Sequence, residues 1–145
     1  LILKEMTDLK TPLEAQYILI TGDRGFPQRG RQVIEKIIKT WSNAGYIILH
    51  GACPSGADAY ADSLCAELKV PQKKCPADWK LGKKAGPLRN AYMVSLKPTA
   101  VYAFHDDLKS SKGTLGCVNL ALKNNIPVFL YSSLGYGDRY CGCAS

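Results

Sequence analysis

The chain has 145 residues, 46% of them hydrophobic and 21% charged, which is the composition of an ordinary soluble domain with one core. No apolar run approaches the ~20 residues a membrane span needs. The opening LILKEM is too short for a signal-peptide core, so neither a membrane nor a secretory role is expected, and Leu1 in first place implies at least a preceding initiator residue. The net charge of +7, with a pI near 9.1, favours an anionic partner such as a nucleotide, a phosphosugar or nucleic acid.

Strand and helix signals alternate along the chain. Tyr17 to Thr21 is a short apolar run closed by Gly22, the pattern of a buried parallel strand. After the loop GDRGFPQRG, Val33, Ile34, Ile37, Ile38 and Trp41 recur at helical spacing, and Gly45 supplies a stop. Tyr46 to His50 is a second apolar run, closed by Gly51. The helix predicted after it carries Ala57, Tyr60, Ala61, Leu64 and Leu68 on one face. Val70 to Cys75 is a weaker third strand, interrupted by Pro71. The loop 76–88 leads to a helix predicted from about Leu88 to Leu96. Thr99 to Phe104 is a fourth strand. A helix to Lys123 follows, with Leu115, Val118, Ala121 and Leu122 inward, and Pro127 to Tyr131 is a fifth strand. The Gly- and Tyr-rich tail after Ser132 is expected to pack loosely.

Such alternation makes an α/β fold, a doubly wound parallel five-stranded sheet with helices on both faces and an expected order 3-2-1-4-5. One domain over 1–145 is expected, with its core at about 17–131 and flanking terminal segments. Ligands of such sheets bind beyond the carboxyl ends of the strands, at the switch point between strands 1 and 4. Four unusual loops, 22–30, 51–58, 76–88 and 105–114, leave those ends.

Six cysteines are present. Cys53, Cys65, Cys75 and Cys117 stand singly, the pattern of small residues in a reducing compartment, which points to the cytoplasm. Cys141 and Cys143 are the one close pair. His50 and His105 are distant in sequence, so no metal site and no cofactor are expected.

The loops carry the chemistry. Gly22 lets a backbone approach a ligand closely, and Arg24 can make a two-pronged contact to phosphate or carboxylate, although a tight turn with a surface arginine explains both equally well. HGACPSGAD, residues 50–58, leads small residues into a helix start that attracts anions. Ser55 is a candidate cap for that helix. Asp58 is either a first-turn carboxylate that stabilises the helix or a partner for a ribose hydroxyl. Lys112-Gly113-Thr114 opens another helix after a strand, a phosphate cradle or a plain cap by Ser110, Ser111 or Thr114. The stretch PADWKLGKKAGPLRNAYM, residues 76–93, is the densest. Trp79 is core or a stacking wall for a base. Lys83, Lys84 and Arg89 can neutralise phosphate, and Asn90 can bond an amide edge or the backbone.

Four motifs in this order, ITGDR at 20–24, HGACPSGAD at 50–58, PADWKLGKKAGPLRNAYM at 76–93 and AFHDDLKSSKGT at 103–114, resemble the SLOG superfamily and within it the YspA-like branch. The third is the most specific. The resemblance covers about Tyr17 to Tyr131 and implies a Rossmann-like fold that binds a nucleotide or nucleotide-derived ligand. It implies a pocket lined by Gly22, Arg24, Gly51, Gly56, Asp58, Arg89, Asn90, Gly113 and Thr114, with Trp79 and Lys83 nearby. The superfamily's cytokinin-activating phosphoribohydrolases carry PGGxGTxxE. The matching stretch here is SSKGTLGC, so Cys117 stands at the place of the catalytic glutamate and the double glycine is replaced.

Three functions follow as expectations. The first is a domain that senses or sequesters a nucleotide-derived small molecule. The second is a hydrolase of N-glycosidic bonds in nucleoside monophosphates. Its catalytic carboxylate would be among Asp23, Asp58 and Asp78, with Asp106 and Asp107 beside the fourth strand, and Arg89 the counterpart of the family arginine. The third, less favoured, is a single-stranded nucleic-acid binder like the DNA-processing protein DprA, which shares the superfamily fold. Members of the superfamily often form dimers, and a homodimer is compatible with the sequence.

Overall fold

A computed structural model describes residues 15–142; the opening LILKEM and Cys143 lie outside the described residues. Six strands form one sheet: β1 (Tyr17–Gly22), β2 (Ile47–His50), β3 (Gln72–Lys74), β4 (Ala100–Phe104), β5 (Val128–Tyr131) and β6 (Gly137–Tyr140). Their order is β3-β2-β1-β4-β5-β6. The first five are parallel and follow the expected order.

The sixth corrects the reading of the tail as loosely packed. β6 pairs antiparallel with β5, matching Val128 to Tyr140 and Tyr131 to Gly137. The chain reverses through Gly135, whose N–H donates to the Ser132 carbonyl at 3.0 Å. The Tyr131 ring lies against Gly137, in space any side chain there would occupy. The Arg139 guanidinium sits 5.8 Å from the centre of the Phe129 ring.

Four helices cover the sheet: α1 (Arg31–Asn43), α2 (Ala57–Leu68), α3 (Ala85–Ser95) and α4 (Gly113–Lys123). The period-2 alternation of β1 divides the core. Ile18 and Ile20 pack with Ile34, Ile38 and Ala61 of α1 and α2, while Leu19 packs with Met93 and Val118 of α3 and α4. Trp41 on α1 donates its ring N–H to the Tyr102 hydroxyl at 3.0 Å, tying that helix to β4.

Three local expectations change. α3 begins at Ala85, three residues before Leu88, and a 3-10 segment (Trp79–Lys84) precedes it. Pro87 falls in the first turn of α3, where a missing N–H costs nothing. On α2 the buried residues are Ala57, Asp58, Ala61, Leu64 and Cys65, while Leu68 is exposed at its end. On α4 the buried face holds Thr114, Cys117, Val118 and Ala121, with Leu115 and Leu122 only half-buried. Among the described residues no helix is long and apolar enough to cross a membrane.

Candidate functional site

The carboxyl ends of β1, β2 and β4 open into one cavity of about 440 Å³, within the size range of small-molecule sites. Its walls come from the loops after those strands, from the first turns of α2 and α4, and from Arg89, Asn90 and Met93 further along α3.

The loop after β2 is shaped from below. His50 is fully buried. Its Nδ1 accepts the Ala52 N–H at 3.0 Å and its Nε2 meets Gln72 Oε1 at 2.8 Å, so the ring carries its proton on Nε2. Ala52 is thereby held in the left-handed region, with φ of 56°. The loop ends at Gly56, with φ of 75°, and the Asp23 carbonyl accepts the Ala57 N–H at 3.2 Å. Gly56, not Ser55, stands at the N-cap of α2, and no side chain caps that helix.

Arg89 is fixed on two sides. Its Nη1 donates to the Gly51 carbonyl at 2.6 Å and its Nε to Asn90 Oδ1 at 3.0 Å. Asn90 donates in turn from Nδ2 to the Gly113 carbonyl at 3.2 Å. One chain of hydrogen bonds thus joins the β2 loop, α3 and the start of α4. Ser111 accepts the Thr114 N–H at 3.0 Å, which makes it the hydroxyl that caps the first turn of α4. The ion pairs of the described residues are Arg31–Glu67, Lys39–Glu35 and Lys74–Asp62, so neither Arg89 nor Arg24 is neutralised by a carboxylate within 4 Å.

Asp58 is 5% exposed and lines the cavity. Its Oδ2 accepts the Cys53 N–H at 3.3 Å, and its Oδ1 has no partner. Burial pushes its carboxyl above the ordinary value, against the opposing pull of the Cys53 N–H and Arg89. The Cys53 thiol beside it is also raised, by burial first and by Asp58 second.

A folded-state value above the unfolded 3.8 means that native Asp58 holds its proton more tightly than the unfolded chain. Its contribution is therefore fully present below the unfolded value and is lost as pH rises through the folded one. Near neutral pH, ligand-free Asp58→Asn is expected to be more stable than wild type by about 1 kcal/mol or more, the scale of a buried polar group without a partner. In thermal melts that advantage shrinks as pH falls and wild-type Asp58 takes up its proton.

Of the sequence-predicted residues, the structure brings Gly22, Arg24, Gly51, Asp58, Arg89, Asn90, Gly113 and Thr114 to the cavity wall. Gly56 lies behind it, against the backbone of Asp23 and Arg24. Trp79 is 58% exposed and is not a core residue. The Arg24 guanidinium sits 5.5 Å from the centre of its ring, and together they wall a second pocket of about 250 Å³ that shares Gly51, Cys53 and Arg89 with the first. Lys83 is exposed and lines neither pocket.

The carboxylates also sort themselves. Asp78 accepts the Lys80 N–H at 3.2 Å and faces a different cleft. Asp106 accepts the Ser133 N–H at 2.7 Å, a bond that holds its carboxyl below the ordinary range. Asp107 is exposed. Asp23 and Asp58 remain in the cavity, and Asp23 spends Oδ1 on the Gly25 N–H at 2.9 Å. Cys117 is fully buried, and burial pushes its thiol up to about 12. Sequence reasoning did not assign Cys53, Met93, His105 or Ser110 to the wall. His105 directly follows β4, and that position was the available signal. Among the described residues no group of three or more His, Cys, Asp or Glu could hold a metal ion.

A mostly parallel, doubly wound sheet with its cavity at the β1/β4 switch point defines a Rossmann-like α/β protein. The chain belongs to the YspA, cpYpsA-related SLOG family, whose model matches residues 17–82. The Gene 61 protein of Mycobacterium phage D29 is 33% identical over 131 residues, which cover 84% of this chain and 97% of that protein. Among solved structures, the molybdenum cofactor binding protein of the phototrophic bacterium Rippkaea orientalis is similar, with a TM-score of 0.65, 20% identity and coverage of 81% of this chain and 77% of that one. DNA processing protein A of Helicobacter pylori, described for its single-stranded DNA binding, has a TM-score of 0.61 at 17% identity over 80% of this chain and 65% of that one. The Moco carrier protein of Chlamydomonas reinhardtii has a TM-score of 0.58 at 19% identity over 80% and 75%. At these identities the structural likenesses speak for the fold.

Proposed function

We propose that the cavity binds a small anionic ligand of nucleotide-derived type, and that the protein senses or sequesters it. The observation that carries this reading is Arg89. Its guanidinium is held by Gly51 and Asn90, it meets no carboxylate of the described residues within 4 Å, and the side chain lines the cavity. A fixed, unneutralised guanidinium is suited to phosphate or carboxylate. Arg24 and the first turn of α4 add positive potential to the same space. Two of the structural neighbours are described as binding or carrying molybdenum cofactor, itself a small molecule. Turnover by the phosphoribohydrolase route is disfavoured, because the residue at the glutamate position, Cys117, is fully buried and off the cavity wall.

The test is mass spectrometry of small molecules released on denaturing the purified protein, together with a thermal-shift screen of nucleotides. A true ligand at a hundredfold excess over its dissociation constant raises stability by about 2.7 kcal/mol. No response to mono-, di- or cyclic nucleotides or nucleotide sugars would sink this reading.

Single-stranded nucleic acid is the second reading, favoured by one specific feature. Trp79 stands 58% exposed among the exposed lysines Lys80, Lys83 and Lys84, the stacking-plus-charge arrangement of single-strand binders. A steep salt dependence, with log affinity falling by about 0.7 per contacted phosphate per log unit of salt, would mark it.

A further inference from the structure

A single apolar side chain on a protein surface needs no explanation, whereas an apolar cluster with a polar rim marks an interaction surface. Seven large apolar side chains are exposed among the described residues, and four of them, Trp79, Leu81, Leu88 and Tyr92, fall in one short stretch. Leu81, Leu88 and Tyr92 line a groove of about 370 Å³ between α3 and the end of β3, the edge strand of the sheet. Each of the three is about half exposed. Leu88 and Tyr92 stand one helical turn apart and form a stripe. α3 thus has two apolar sides. Met93 and Val94 pack into the core, while Leu88 and Tyr92 stay uncovered. Helix formation does not ask for them, since Ala, Lys or Glu serves a solvent-facing position as well.

The rim of the groove is basic. Lys73 and Lys74 line it, and Lys80, Lys83 and Lys84 are exposed on the 3-10 segment that carries Leu81. Among the described residues only Lys74 of these five is in an ion pair, with Asp62 at 3.0 Å. We propose that this groove docks an acidic amphipathic segment of a partner protein, with apolar residues against Leu81, Leu88 and Tyr92 and Asp or Glu against the lysine rim. Charge and chemistry choose this occupant. A second copy docked by two-fold symmetry would set lysines against lysines. A nucleic-acid strand gains from the lysines but finds no stacking face in Leu81 or Leu88, and the exposed Trp79 ring walls the neighbouring pocket with Arg24. An acidic amphipathic segment suits both the floor and the rim. Arg89 lines the groove as well as the cavity, so α3 carries the docking stripe and the anion-facing arginine on one rigid element.

The experiment selects peptides from a phage-displayed random library on the full chain. The leading peptide is then titrated by calorimetry into wild type, Leu88→Asp, Tyr92→Ser and the double variant Lys80→Glu with Lys84→Glu. The selected peptides are expected to combine Leu, Phe or Trp with Asp or Glu. Leu88→Asp is expected to weaken the leading peptide roughly tenfold or more, the scale of losing a central apolar anchor. The double charge reversal is expected to weaken it and to flatten its salt dependence. Leu88 and Tyr92 are exposed, so thermal melts of both variants should match wild type; if Leu88→Asp fails to fold, Tyr92→Ser decides. Selection of basic or uncharged peptides, no enrichment, or a leading peptide indifferent to both apolar changes would overturn the proposal. A dimer in sedimentation that Leu88→Asp dissolves would give the groove to a second copy, and oligothymidylate binding lost in Leu88→Asp would give it to a strand; either overturns it. None of these readouts uses the cavity ligand, so failure here and failure of the nucleotide screen are distinguishable.

Discussion

Gly56→Ala is expected to destabilise the protein by about 3–5 kcal/mol, a loss large enough to unfold much of a marginally stable chain. Two separate effects combine. Gly56 has φ of 75° and ψ of −148°, a region that residues with a Cβ occupy only at a cost of about 1–3 kcal/mol. A methyl group there would also collide with the Asp23 carbonyl and stand 2.6 Å from Arg24 Cα. Both obstacles are backbone and cannot swing aside, so relief would require the β1 loop or the start of α2 to move. That movement would break the bond from the Ala57 N–H to the Asp23 carbonyl, which joins the two elements under the cavity. Gly45 is the internal control. Its φ is 89°, but nothing lies within 4 Å of an added methyl group, so Gly45→Ala carries conformational strain alone, about 1–2 kcal/mol. Urea denaturation of both variants reads the difference. Equal losses in the two would mean that the loop after β1 is free to move, and that the cavity floor is softer than its hydrogen bonds imply.

The main frame was legible because its signals are local. Ile18 to Ile20 and Ile48 to Leu49 are apolar on both faces, as strands buried between two helical layers must be, and α1 shows its helical stripe plainly. β6 was not legible for the converse reason. Its sequence, GDRY, has no apolar alternation, and it is held by the Tyr131 ring over Gly137 and by Arg139 over Phe129. Those contacts exist only once β5 is in place. The start of α3 was misplaced because Gly86-Pro87 reads as a breaker in isolation, whereas a proline in a first turn breaks nothing.

The cavity was legible in its glycines, Arg24, Arg89 and Asn90, since three of the four expected loops, 22–30, 51–58 and 105–114, converge on it by topology, while the 76–88 loop walls the neighbouring pocket instead. What the sequence could not resolve was burial. Trp79 was as fit for a core as for a wall, until the 3-10 segment carried it and its neighbouring lysines out to solvent. Asp58 was equally a helix residue or a ligand partner, until three elements closed around it and left one oxygen unpaired.

Arg89→Ala is expected to cost about 1.5–3 kcal/mol of ligand affinity, the worth of a charge-assisted hydrogen bond, which is roughly a 10- to 150-fold rise in dissociation constant. The effect should lie toward the upper end, because the side chain is organised before the ligand arrives. Its Nε and Nη1 are already bonded, to Asn90 and Gly51, so little rotamer freedom remains to be lost on binding. Arg89→Lys separates charge from geometry. The ammonium keeps the charge but cannot bond Gly51, Asn90 and a ligand oxygen in one plane, so most of the loss should remain. Lys83→Ala provides the contrast. That lysine is exposed and lines neither pocket, so affinity should stay within about twofold, the scale of a screened surface charge. Calorimetry on the three variants, each checked for an intact melt, distinguishes the cases. A large effect at Lys83 and none at Arg89 would shift the anion from the β1/β4 cavity to the basic surface around Trp79, and with it the choice between a small ligand and a nucleic-acid strand.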